Sequence, residues 1–177
     1  MARISLIEEG DHPELAGLIA KIRAGRRGAL INVYKLLLHA PPLAEIWLAL
    51  INALRTYSVL DARLREIAII RIGHLNRVDY VVSQHVPQLA VPAGLTIEEC
   101  AALATPQATA TFGTNEQAAI AYVDAMTRHV QVPNDVFARL RACFDQRQIV
   151  ELTVLIGTYN MHTRVVAALE IDPELPG

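Results

Sequence analysis

Apolar residues recur at helical spacing along most of the chain, and Pro and Gly cut that pattern into segments. Pro13 suits a first helical turn with Asp11 as cap, and Leu15, Leu18, Ile19 and Ile22 then mark one face of a helix over 14–23. A second helix is predicted over 29–39. Pro41 and Pro42 end it and start a third over 43–57, with Leu43, Ile46, Trp47, Leu50 and Leu54 as its stripe. Asp61 caps a strongly apolar helix through Leu75, where Leu64, Ile67, Ala68, Ile70, Arg71, Ile72 and Leu75 cover most of the circumference; such a helix belongs at the centre. The next helix, 79–91, is interrupted by Pro87 near its end, and Thr96, Glu98 and Glu99 open a short helix through Leu103 in a pattern resembling a capping box. Residues 105–114 hold Thr, Gly, Pro and Gln without an apolar period and read as a loop and hinge. Beyond it lie amphipathic helices over 115–128 and 133–144, then a long one over 145–170 carrying Ile149, Leu152, Leu155, Ile156, Tyr159 and Val166. The tail, 172–177, reads as an ordered or frayed arm.

The two halves echo each other at an offset of 84: Asp61, Arg63, Ile72, Gly73 and Asn76 recur as Asp145, Arg147, Ile156, Gly157 and Asn160. Glycine inside a helix costs about 0.5–1 kcal/mol relative to Ala, so Gly73 and Gly157 are expected where two backbones approach closely. A pseudo-repeated pair of core helices is the economical reading.

Composition supports an all-α chain. Hydrophobic residues make up 53% and charged ones 19% of the 177 residues, which excludes disorder except at the ends, while aromatics at 5% argue against an aromatic-rich β-sandwich. This length fits a single domain over 1–177 of about eight helices. A net charge of -2 with scattered Lys and Arg leaves no footprint for nucleic acid or an anionic membrane. The richest basic stretch, Lys21, Arg23, Arg26 and Arg27, reads as the cationic end of a helix closing near Gly25 or Gly28, with a phosphate site as the alternative. Cys100 and Cys143 form no CxxC and read as small buried apolar residues, and no leader pattern or membrane-length apolar run occurs, so the cytoplasm is the expected compartment.

His85 sits in the middle of an apolar stripe formed by Val78, Val81, Val82, Val86 and Leu89. Such an imidazole is either a satisfied core histidine or, held by a carboxylate, a general acid/base. Glu66, at the entrance to the most apolar helix, is the candidate carboxylate; the ordinary alternative is an ion pair with Arg63 one turn earlier. Tyr80 offers a phenol to the same site or fills the interface. Towards the C-terminus Tyr159, Asn160, His162 and Arg164 crowd together. Arg164 suits a substrate carboxylate, with Tyr159 and Asn160 beside it, unless these residues hold a neighbouring subunit. His12, His39, His74 and His129 are isolated, so no metal is expected, and the absence of a Gly-rich phosphate loop leaves no cofactor expected either.

The stretch LDARLREIAIIRIGHLNRVDYVVSQHVPQLAVPAGLTIEE, 60–99, resembles the core of the carboxymuconolactone decarboxylase and alkylhydroperoxidase D-like (AhpD-like) family, and HAPPL at 39–43 agrees. The segments AYVDAMTRHVQVPNDVF and RQIVELTVLIGTYNMHTRVVAALEID resemble the related C-terminal half, about 115–170, of its longer single-chain members. The resemblance implies an AhpD-like helical bundle assembled as a homo-oligomer, a trimer or hexamer in the family, with a dimer left open. In the peroxidase members a Glu, a CxxC and a His form a proton relay; Glu66 and His85 match the Glu and the His, while Val78 and Val81 occupy the cysteine positions. Members without the cysteines often carry a second Glu where this chain has Val81, a further departure. A valine forms no thiolate, so dithiol peroxidase chemistry at this site is not expected whatever label the family carries. The expected function is a cofactor-independent lyase, decarboxylase or isomerase acting on a small, aromatic-derived organic acid or lactone. Its rival is a non-catalytic member that binds a small molecule or partner in the same pocket.

Overall fold

The computed structural model describes residues 2–105 and 108–174, with the backbone alone at 108 and 109. Residues 106 and 107 of the expected hinge and 175–177 of the expected arm lie outside the described residues. Those described form nine α-helices and no strand, so the chain is all-α. None of these helices is long and apolar enough to cross a membrane. The chain divides into two compact units, Met1–Ser58 with Val166–Gly177, and Val59–Val165.

The first unit holds α1 (Ala16–Gly25), α2 (Asn32–Leu37) and α3 (Pro41–Thr56). A single 3-10 turn at Pro13–Leu15 leads into α1, which buries Ile19 and Ile22. After α1 the chain turns through Arg27 and Gly28, both at positive φ, and Ile31 is extended. That exit shortens α2 relative to the span expected from sequence. Helix α3 begins at its prolines, but its buried face is Ala44, Leu48, Ile51 and Leu54. Leu43 and Ile46, expected inside, are 61% and 66% exposed. The segment is apolar on more than one side, so periodicity alone could not choose between faces. The tail is tied down as far as Glu174: Asp172 accepts from the Ala2 N–H at 2.9 Å and Glu174 from the Asn32 N–H at 2.9 Å.

The second unit is built around α4 (Ala62–Leu75), which buries nine of its residues. Asp61 caps it as expected, its side chain accepting from the Leu64 N–H at 2.7 Å. Around it lie α5 (Asp79–His85), α6 (Ile97–Ala102), α7 (Thr114–His129), α8 (Asn134–Cys143) and α9 (Gln146–Ala168), whose last residues belong to the first unit. Helix α6 carries the expected capping box between Thr96 and Glu99. One face of α4, with Ile67 and Ile70, joins Leu95, Cys100, Leu103, Phe112 and Ile120 in a continuous core.

Arg71, part of the apolar circumference in the sequence pattern, is a buried charge of this unit at 2% exposure. Its guanidinium meets both carboxylate oxygens of Asp124 on α7 at 2.6 Å and donates to the carbonyls of Leu103 at 2.7 Å and Thr105 at 2.8 Å. One side chain thus fixes α7 to α4 and closes the end of α6.

The pseudo-repeat is visible in contacts. Asp145 opens α9 as Asp61 opens α4, accepting from the Gln148 N–H at 2.8 Å, and the equivalent residues Asn76 and Asn160 bond each other at 3.0 Å. The two glycines differ. A Cβ on Gly73 would lie 2.9 Å from Val82 Cγ2, whereas one on Gly157 would meet only Met126 Cε at 3.9 Å. Close approach therefore explains Gly73 and not Gly157. Gly73→Ala is expected to destabilise the protein by about 1–3 kcal/mol through overpacking, and Gly157→Ala to stabilise it by about 0.5–1 kcal/mol through helix propensity. Denaturant unfolding of both variants checks the contrast.

Candidate active site

An ionised carboxyl out of water must be paired or hydrogen-bonded, and Glu66, in the second turn of α4, is 6% exposed. Its Oε2 lies 2.7 Å from Nδ1 of His85, which is 9% exposed. The alternative partner, Arg63, is engaged elsewhere: it donates to Glu99 at 2.5 and 3.0 Å and to Glu116 at 2.7 Å. Those carboxylates hold Arg63 protonated, Glu99 contributing most, and Arg63 in turn keeps the Glu99 carboxyl below its ordinary range.

Local chain chemistry places the imidazole. His85 is the last residue of α5, and Pro87 has no N–H to continue the α-helical ladder. The backbone widens there into a π-helical turn over Val86–Ala90, closed by the Val91 N–H on the Val86 carbonyl at 3.2 Å. His85 therefore stands at the break, with its ring against α4.

Helix α9 supplies a third group. The Tyr159 hydroxyl lies 3.5 Å from His85 Nε2, and the two rings meet edge-on, their centroids 5.4 Å apart at 83°. Carboxylate, imidazole and phenol follow in sequence. When Nδ1–H is donated to Glu66, the neutral imidazole presents the lone pair of Nε2 towards the phenol. A contact as long as 3.5 Å is weak, so Nε2 is the nitrogen left to take or give a proton.

Of the six residues singled out from sequence, the structure brings Glu66, His85 and Tyr159 together. Tyr80 is buried on α5, but it lies five positions before His85, about 140° round the helix at 3.6 residues per turn. The phenol against the imidazole is that of Tyr159, read from sequence as a substrate contact. Asn160 serves helix packing: its amide accepts from Asn76 at 3.0 Å and Arg164 at 2.8 Å and donates to Thr127 at 3.0 Å. Arg164 is exposed, five positions beyond Tyr159, and bonds the Asn160 carbonyl at 2.9 Å. The structure does not join it to the histidine.

Val78 and Val81 are buried at 5% and 1%, and Val81 Cγ1 lies 3.6 Å from the position a Cβ on Gly73 would take. A Val81 methyl thus packs against α4, and neither position carries a thiol. Both cysteines are free thiols. Cys100 is buried as expected, and burial, with Glu99 and Glu66 adding to it, pushes its thiol pKa up, away from the thiolate. Cys143 is only half-buried. Among the described residues no group of three or more His, Cys, Asp or Glu is placed to hold a metal ion.

The model of the carboxymuconolactone decarboxylase family matches residues 41–125. No curated protein matches the chain. Among solved structures, an uncharacterized peroxidase-related protein from Silicibacter sp. TM1040 superposes with a TM-score of 0.83 at 19% identity, over 98% of this chain and 92% of that one. An AhpD-core protein from Ralstonia eutropha JMP134, also an uncharacterized peroxidase-related protein, gives 0.83 at 17% identity over 98% and 92%. A Cys-to-Ala variant of the debrominase Bmp8, in complex with 2,3,4-tribromopyrrole, gives 0.78 at 16% identity over 98% and 94%. These likenesses show an AhpD-like all-α fold.

His74, isolated in the sequence pattern, lies near the end of α4. Burial lowers its pKa below the ordinary 6.5, Arg71 adding to that, against a backbone hydrogen bond at Cys100 and the charge of Asp79. Its Nε2 is buried without a hydrogen-bond partner among the described residues. Below about pH 6.5 the unfolded chain takes up a proton there that the folded chain resists, so stability falls as pH drops through that range and levels off below the folded pKa. His74→Gln is expected to flatten this slope, read from denaturation midpoints between about pH 7 and 5.

Proposed function

We propose that this chain, which belongs to the AhpD and carboxymuconolactone decarboxylase-like family, is an acid/base catalyst acting on a small organic acid or lactone. The observation that carries this reading is the buried 2.7 Å contact between Glu66 and His85. Glu66 orients the imidazole and stabilises its protonated form, as a carboxylate does for any histidine base. Nε2 of His85 removes a proton from a carbon made acidic by a neighbouring carbonyl and returns it at another carbon. In a decarboxylation the C–CO₂ bond breaks and CO₂ leaves, its electron pair delocalises onto the carbonyl as an enolate, and the imidazolium form of His85 protonates the carbon from Nε2–H and regains that proton from solvent. Tyr159 is placed to donate to a substrate oxygen once the substrate displaces its long contact with Nε2.

Two features favour a small, apolar-bodied substrate. The dyad lies in a unit lined by Val, Ile and Leu, and Val78 and Val81 remove the sulfur that thiol chemistry would require. The neighbour that holds a tribromopyrrole accommodates a small aromatic ring in the same fold. The deep burial of His85 and Glu66 also favours a second reading, a non-catalytic member that binds such a molecule, because both groups are satisfied by each other.

Turnover assays with carboxylated lactones and keto acids separate these readings. His85→Gln and Glu66→Gln are each expected to lower kcat/KM by about 10²–10⁴-fold with circular dichroism unchanged. Equal turnover in wild type and both variants removes the catalytic assignment. Peroxide reduction by the protein's own thiols would overturn the case for proton chemistry.

A further inference from the structure

The first unit contains a feature that the acid/base reading does not use. The C-terminal ends of α1 and α3 meet around a cleft of about 660 Å³ whose walls include Arg26, Arg27, Asn52, Arg55 and Tyr57. That volume lies within the roughly 300–1,000 Å³ usual for small-molecule sites.

Arg26 is 8% exposed, and the hydrogen-bond partners of its guanidinium among the described residues are neutral. Nη1 donates to the Gly25 carbonyl at 2.7 Å and to Asn52 Oδ1 at 2.8 Å, and Nη2 donates to the Tyr34 hydroxyl at 2.6 Å, with the guanidinium carbon 5.1 Å from the Tyr34 ring centroid. These bonds use three of its five N–H donors. Among the described residues Nε–H and one Nη2–H are left without a hydrogen bond, donors from which a carboxylate can accept. Among the described residues, neither Arg26 nor Arg55 has an ion pair. Acids nearby in sequence already have partners: Glu8 pairs with Lys35, Glu9 with Arg23 and Glu45 with Lys21.

A buried cation without a counter-charge is costly. The helix ends supply part of the compensation, about half a negative charge each, against the full charges of Arg26 and Arg55. Positive charge is left over at a cleft that also offers Tyr57 and the methyl groups of Ala49 and Ala53.

We propose that this cleft is a second ligand site, taking a small organic carboxylate whose carboxyl group bridges Arg26 and Arg55 and whose apolar body lies along Ala49, Ala53 and Tyr57. The cationic end of α1 is then an anion receptor as well as a helix terminus.

Titration of the full chain with sodium benzoate by isothermal calorimetry, with NaCl holding ionic strength constant, tests this. One saturable site is expected. Arg55→Gln is expected to weaken it about tenfold or more, as loss of a charge-assisted hydrogen bond requires. Arg26→Lys, which keeps the buried charge but loses the fork, is expected to weaken it similarly, and His85→Gln to leave it unchanged. The proposal falls if no saturable heat appears, if Arg55→Gln binds as wild type does, or if inorganic phosphate displaces benzoate at equal concentration. It also falls if His85→Gln abolishes binding, because the carboxylate then sits at the histidine.

Discussion

Helix α4 is buried on nearly every side and yet carries Glu66 and Arg71 within two turns. Neither charge can be solvated there, so each must be answered by a neighbouring element. Asp124 and the carbonyls at the end of α6 answer Arg71; His85 answers Glu66. The arrangement of the second unit follows from this constraint. Helix α7 must pack so that Asp124 reaches α4, and α5 must end where an imidazole faces it.

The same constraint makes the candidate site rigid. A general acid/base works best when its ring is locked before substrate arrives. His85 is held at one nitrogen by a carboxylate on a capped helix, while its other nitrogen meets a long contact from Tyr159. The packed valines beside it keep the surroundings apolar, which strengthens the hydrogen bond between the pair.

Much of this was legible in the sequence for specific reasons. Asp61 before an apolar run and Thr96 ahead of Glu99 are local signals that need no tertiary context, and both caps form. Glu66 and His85 could be paired because two polar groups stood in otherwise apolar stripes. Other features depended on packing. Periodicity cannot choose the buried stripe of α3 because its segment is apolar on several faces, and α2 is shorter than its pattern because a left-handed Arg27 gives no local signal. Arg71 was absorbed into an apolar count, although a lone cation in a central helix does imply a distant acid; which acid, Asp124 among several, only the fold decides. Tyr159 met His85 through α9, and nothing local to either residue encodes a contact across 74 positions.

The bond between Asn76 and Asn160 has a consequence of its own. A residue that touches its own counterpart marks the axis of a two-fold relation, the geometry of a self-complementary interface between identical subunits. Here that geometry sits inside one polypeptide. The halves diverge at the same spot: α4 stops at Asn76 and the chain turns away through Arg77, whereas α9 runs straight through Asn160. The architecture can thus be viewed as a fused dimer in which only one half bends, the bend that returns His85 to Glu66, while the unbent half brings Tyr159 to the same imidazole.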